Sequence, residues 1–88
     1  MGEQIAKQIV QSKKNKYLVS TMNLGQYLET MIFNITEKGI DMNNPLYEKR
    51  YNKLKLAKRG HKKAIEIART ENFRTAIVQI LPLATSEK

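Results

Sequence analysis

The run Lys58-Arg59-Gly60-His61-Lys62-Lys63 gathers five cationic or hydrogen-bonding side chains around one glycine. Such groups hold anions. If Gly60 ends one helix and His61 begins another, the run is a turn beside a helix start. The free N–H groups and positive dipole end there attract phosphate. Lys49, Arg50, Lys53 and Lys55 lie just upstream. The candidate nucleic-acid contacts are therefore Lys49, Arg50, Lys53, Lys55, Lys58, Arg59, His61, Lys62 and Lys63. The plainer use of such lysines is a solvated turn that keeps the chain soluble. The charge distribution decides between the two. From Lys49 to Arg74 ten basic residues face only Glu66 and Glu71, an excess equal to the +8 of the whole 88-residue chain. Residues 1–48 balance five lysines against Glu3, Glu29, Glu37, Asp41 and Glu48, and the tail balances Glu87 with Lys88. A concentrated excess makes a local positive potential, and nucleic acid is the commonest polyanion to answer it.

Other chemistry is poorly supplied. His61 is the only histidine and cysteine is absent, so no ligand set for a metal is in prospect. Ser12, Ser20, Thr21 and Thr36 have no histidine placed to activate them. No phosphate-cradling glycine loop, dinucleotide turn or paired-carboxylate motif occurs. The expectation is no catalytic residue, no metal and no cofactor. Tyr47 and Tyr51 could stack on bases, but their spacing reads as a core stripe, and Met22, Met31 and Met42 read as gap fillers.

The elements expected to position the basic residues are helices. Only Pro45, Pro82 and four glycines punctuate the chain, and neither clean two-residue alternation nor an Asn-Gly or Asp-Gly turn is present. A first amphipathic segment covers about Glu3–Gln11, with a polar break at Ser12–Asn15. Leu18, Met22 (or Thr21), Leu24, Leu28, Met31, Ile32 and Ile35 recur at three- and four-residue steps, predicting a long helix over about Tyr17–Lys38 that Gly39 ends. Asn44-Pro45 suits a third helix start, with Gly60 as its stop. A fourth helix is expected over about His61–Leu81, closed by Pro82. The fold class expected is all-α, a small bundle of three to four helices with a basic helical hairpin. The expected organisation is an N-terminal segment at 1–14, a helical domain at 15–82 and a tail at 83–88. No secretory leader and no run of ~20 apolar residues is seen, so a soluble cytoplasmic protein is expected.

The order of features resembles a family. Asn15-Lys16-Tyr17-Leu18 with Ser20-Thr21, then Tyr51-x-x-Leu54, then Arg59-Gly60-His61-Lys62-Lys63-Ala64-Ile65 with Ala68-Arg69, then Thr75-Ala76-Ile77 and Ile80-Leu81, is similar to the C-terminal domain of bacterial transposases. The group is the one named after insertion sequences one-ten, one-sixteen and nine-zero-two. The resemblance covers about Ser12 to Leu81, and its most specific piece is the Arg-Gly-His-Lys-Lys-Ala-Ile run. It implies DNA recombination by a RuvC-type acidic nuclease domain joined to a helical domain with a reactive serine. The serine normally precedes the Lys-x-Asn-Lys-Tyr-Leu stretch, where this chain has Met1-Gly2, and no acidic nuclease domain is included. The stretch between Arg69 and Thr75 is about two residues longer than the family pattern, which in a continuous helix turns the following face by ~200°. The expectation is a catalytically inactive remnant that keeps its nucleic-acid-binding helices. Its partner would be DNA or structured RNA, with self-association as a homodimer or in a larger transposase assembly, and no membrane. The competing expectation, from another class, is a helical module that dimerises through its apolar stripes while the lysines serve solubility.

Overall fold

The computed structural model describes residues 2–73. It is mostly sheet. Strands β1 (Glu3–Gln11), β2 (Lys16–Asn23), β3 (Leu28–Thr36), β4 (Gly39–Ile40) and β5 (Tyr47–Tyr51) are followed by one helix, α1 (Leu54–Thr70). The order is β1-β2-β3, with β4 and β5 both paired to β3, and every pairing is antiparallel. The strands curl into a half-barrel, and α1 lies across one face.

This overturns the all-α expectation, and the reason lies in the two faces of the sheet. In β2 and β3 the side chains toward α1 are Tyr17, Val19 and Thr21, then Leu28, Thr30 and Ile32. The opposite face carries Leu18, Met22, Met31 and Phe33. A strand that is apolar on both faces loses the alternation by which strands are recognised, and its apolar residues then fall at three- and four-residue steps by chance. The signal that was available is the β-branched content. Val19, Thr21, Thr30, Ile32, Ile35 and Thr36 suit a pleated surface better than a helix. The long helix over Tyr17–Lys38 is instead the β2–β3 hairpin. Its turn uses Gly25, at φ 96°, which serves as the hairpin bend rather than a tolerated mid-helix glycine. Leu24 N donates to Tyr27 O at 2.8 Å across that turn, and Asn23 Oδ1 accepts from Gly25 N at 2.9 Å. Gly39, at φ 117°, bends the β3–β4 turn instead of ending a helix. The segment Glu3–Gln11 is an edge strand rather than an amphipathic helix.

Pro45 precedes β5 instead of opening a helix, and Gly60 does not end one. The third and expected fourth helices are one continuous helix only from Leu54 to Thr70, and the stretch from Arg74 to Pro82 lies outside the described residues. Gly60 is buried in the middle of α1 because the Tyr51 side chain occupies the space a Cβ would need. The buried face of α1 is Ala57, Gly60, His61, Ala64, Ile67 and Ala68. Its small residues let the helix axis approach the sheet closely. Against them stand Val10, Tyr17, Val19, Ile32 and Tyr47. Val19 and Ile32 are fully buried, worth ~1.5–3 kcal/mol each in transfer free energy.

The C-terminal end of α1 is latched to the β1–β2 turn. Glu71 is the C-cap residue in a left-handed conformation, φ 57°, a cost of roughly 1–2 kcal/mol for a residue with a Cβ. Its Oε2 accepts hydrogen bonds from Ser12 Oγ (2.6 Å), Asn15 Nδ2 (2.7 Å) and Tyr17 Oη (2.6 Å). These donors, Ser12 first, pull its carboxyl down to about 2. Burial, then the adjoining carboxylate, pushes the Tyr17 hydroxyl up to about 12. Phe73 meets the Tyr17 ring edge-on at 5.2 Å.

Candidate nucleic-acid interface

The face of α1 opposite its buried stripe is exposed and basic. At 100° per residue, Lys55, Lys58, Arg59, Lys62, Lys63 and Arg69 fan out around the solvent side, and all six are exposed. From Lys55 to Arg69 the stripe runs ~21 Å at 1.5 Å per residue. Glu66 is the one acid on the described helix, and it pairs with Arg69 three residues on. The remaining cations have no carboxylate within ion-pair distance among the described residues.

The start of α1 makes the charge stand out further. Its N-cap is Lys53, whose side chain makes no capping hydrogen bond, and its first turn holds no acid. Lys53 and Lys55 therefore sit at the positive end of the helix dipole, an arrangement that costs rather than stabilises, by ~0.3–1 kcal/mol per charge at low salt. A bound anion would reverse the sign of that term.

One side of the stripe borders a groove of about 350 Å³ between α1 and β5, lined by Lys49, Tyr51, Leu56, Arg59, Gly60 and Lys63. The close approach at Gly60 forms its floor. Lys49 Nζ lies 5.9 Å from the Tyr51 ring centroid, a cation–π distance that sets its ammonium over the groove. Burial, with Tyr47 beside it, pushes the Tyr51 hydroxyl well above its ordinary value, so it stays neutral and able to donate. Three cations converge here with one phenol.

The structure redistributes the residues singled out in the sequence. Lys55, Lys58, Arg59, Lys62 and Lys63 share the helical face, Lys53 stands at its start, and Lys49 joins across the groove. They are brought together by one helix and a strand, with no turn at Gly60. Arg50 does not join them. It alternates to the far side of the sheet, pairs with Glu29 (Nε to Oε2, 3.3 Å) and lies 4.3 Å over the Tyr27 ring. His61 does not join them either. It is 6% exposed, with Nδ1 2.7 Å from Thr21 Oγ1, which in turn is 2.6 Å from Thr30 Oγ1. The expectation that His61 touches phosphate is corrected by its place on the inner face of α1. Burial lowers its pKa, keeping the ring neutral, and Nε2 finds no partner among the described residues. Reading Gly60 as a break concealed this, because only an unbroken helix puts His61 on the same side as Ala57 and Ala64. Arg69 is the addition that sequence reasoning left out of the contact set, and a continuous 3.6-residue period through Gly60 would have included it.

Among the described residues no group of His, Cys, Asp or Glu could hold a metal ion. None of their helices is long and apolar enough to cross a membrane. No protein-family model, curated protein or solved structure matches the chain.

Proposed function

We propose that this protein binds nucleic acid, duplex DNA or structured RNA in the cytoplasm, through the solvent face of α1 and the groove beside β5, and acts by binding rather than catalysis. The observation that carries the reading is the line of cations opposite the helix core, with Lys53 and Lys55 at a helix end where they oppose the dipole. Lysines on a flexible tail could keep a chain soluble without ordering. A rigid helix holds them along a surface that can follow a phosphate backbone, and such contacts position without reading sequence. Little sequence preference is therefore expected.

The likeness to insertion-sequence transposases now bears mainly on α1, because Tyr17–Lys38 forms two strands where the likeness implied a helix. Descent from such a domain is a proposal about origin, tested by whether the DNA upstream of the Met1 codon encodes an acidic nuclease domain. The binding proposal does not depend on it.

The test is a salt series on duplex DNA. With four to six phosphates neutralised, log affinity falls against log salt with a slope of about −4 to −5. Lys62→Ala with Lys63→Ala lowers the slope by up to about 2 and leaves the circular dichroism unchanged, since both side chains are exposed. Affinity independent of salt, or a double variant binding like the parent throughout, overturns the proposal.

A further inference from the structure

We propose that the sheet face turned away from α1 is an interface between two copies of this chain. Antiparallel partners point to the same side of a sheet, so the pairings define this face. Leu18 and Phe33, each 5% exposed, form the floor of a groove of about 370 Å³ at its centre, with the half-buried Met22 and Met31 beside them. At one rim Ile9 of β1 is 65% exposed, and beyond the other rim Ile40 and Met42 are 43% and 60% exposed. No described element covers them.

The charges select the occupant. The α1 faces of two copies repel each other, since both are basic. The outer face instead carries both signs, Lys7 and Arg50 against Glu29 and Glu48, with Lys16 toward the turn end. Their placement is self-complementary. Lys7 pairs with Ser20, Ser20 with Met31, and Met31 with Glu48, so these four residues form one row across the sheet with opposite charges at its two ends. A two-fold axis parallel to the strands, passing between Ser20 and Met31, lays β1 of one copy over β5 of the other. The row then maps onto itself reversed, and Lys7 of each copy faces Glu48 of the second copy. The same rotation carries the row Ile9–Leu18–Phe33 across, bringing exposed Ile9 toward Ile40 and Met42 of the second copy. Such an isologous contact closes as a dimer. It buries the exposed Ile9, Ile40 and Met42 around the groove at the usual ~10 Å sheet spacing and leaves both cationic helices facing outward.

Sedimentation equilibrium on the full chain without nucleic acid tests this. The dimer mass is expected at tens of micromolar and persists at 0.5 M salt. Ile9→Asp raises the dimer dissociation constant tenfold or more without changing the circular dichroism. Lys7→Glu and Glu48→Lys each weaken the dimer, whereas the two together restore it. A monomer at every concentration overturns the proposal, and so does a dimer indifferent to Ile9→Asp or a double variant weaker than both singles. A monomer whose methyl groups on this face contact residues 74–88 also overturns it, in favour of a cover supplied by the chain itself. Because nucleic acid is left out, either result stands apart from the binding proposal.

Discussion

Glu71 and Tyr17 show how single residues hold the helix against the sheet. Glu71 occupies a backbone conformation that a residue with a Cβ ordinarily avoids, and its carboxylate is tied by three donors, two from the β1–β2 turn and Tyr17 of β2. Both groups make stability depend on pH, in opposite directions. The Glu71 pKa is depressed in the fold, to about 2 from 4.5, so its contribution is complete above pH 4.5 and is lost as the pH falls toward 2. The Tyr17 pKa is raised, to about 12 from 10, so its contribution is complete below pH 10 and is lost as the pH rises toward 12. Tyr17→Phe is expected to cost about 1 kcal/mol at pH 7, the worth of one hydrogen bond. It should also flatten the alkaline limb between pH 10 and 12 while the acid limb persists. Urea unfolding across pH measures both. An alkaline limb equally steep in the variant would assign that limb to another tyrosine. His61 adds a separate decline in acid, because its depressed pKa makes its contribution complete above 6.5 and lost as the pH falls below that value.

Among the elements, α1 depends on a glycine used for closeness. Gly60 in an ordinary exposed helix would be ~1 kcal/mol less favourable than alanine, and a helix break there would make Gly60→Ala harmless or stabilising. The position of Tyr51 reverses that expectation. A Cβ at residue 60 overlaps the tyrosine hydroxyl and ring, so Gly60→Ala should destabilise by ~1–3 kcal/mol, the usual cost of overpacking. Adding Tyr51→Leu, which removes the ring, should recover part of the loss. Chemical denaturation of the two variants checks it, and a stabilised Gly60→Ala would show that the helix does not lie against β5. The strands depend on shape in a different way. Thr21 and Thr30 are fully buried, yet polar, and the sheet accommodates them because Thr21 bonds both Thr30 and His61.

At the scale of the whole molecule the two sides of the fold have opposite electrostatic character. The α1 side concentrates nearly all the uncompensated charge, with like charges at i and i+4 such as Lys55 with Arg59 and Lys58 with Lys62, each pair mildly destabilising. The outer sheet side is apolar with mixed charges. Salt should therefore stabilise the free protein. Raising ionic strength from 20 to 500 mM shortens the screening length from roughly 20 Å to below 5 Å. The melting temperature is expected to rise by a few degrees, measured by calorimetry without nucleic acid. At low salt a short duplex should raise it as well, by mass action. A melting temperature that falls with added salt would mean that favourable ion pairs outweigh the repulsion along α1.

The sequence by itself determined the location and sign of the charge excess, the exposure of most of its lysines and the core identity of Tyr47. The first two follow from composition, and Tyr47 is core on β5 as it would be on a helix, because a large aromatic ring is buried in either element. The sequence also determined that Gly39 punctuates the chain, though not that it bends a strand turn. Tertiary structure alone decided that Tyr17–Lys38 is a hairpin, because a strand apolar on both faces carries no period that separates it from a helix. It alone decided that Gly60 continues α1, since only the Tyr51 side chain packed against it shows why a side chain is absent there. And it alone turned Arg50 and His61 away from the basic face. One sits at a strand position whose alternation points it to the far side, and the other lies on a helix face that becomes visible only when the helix is unbroken.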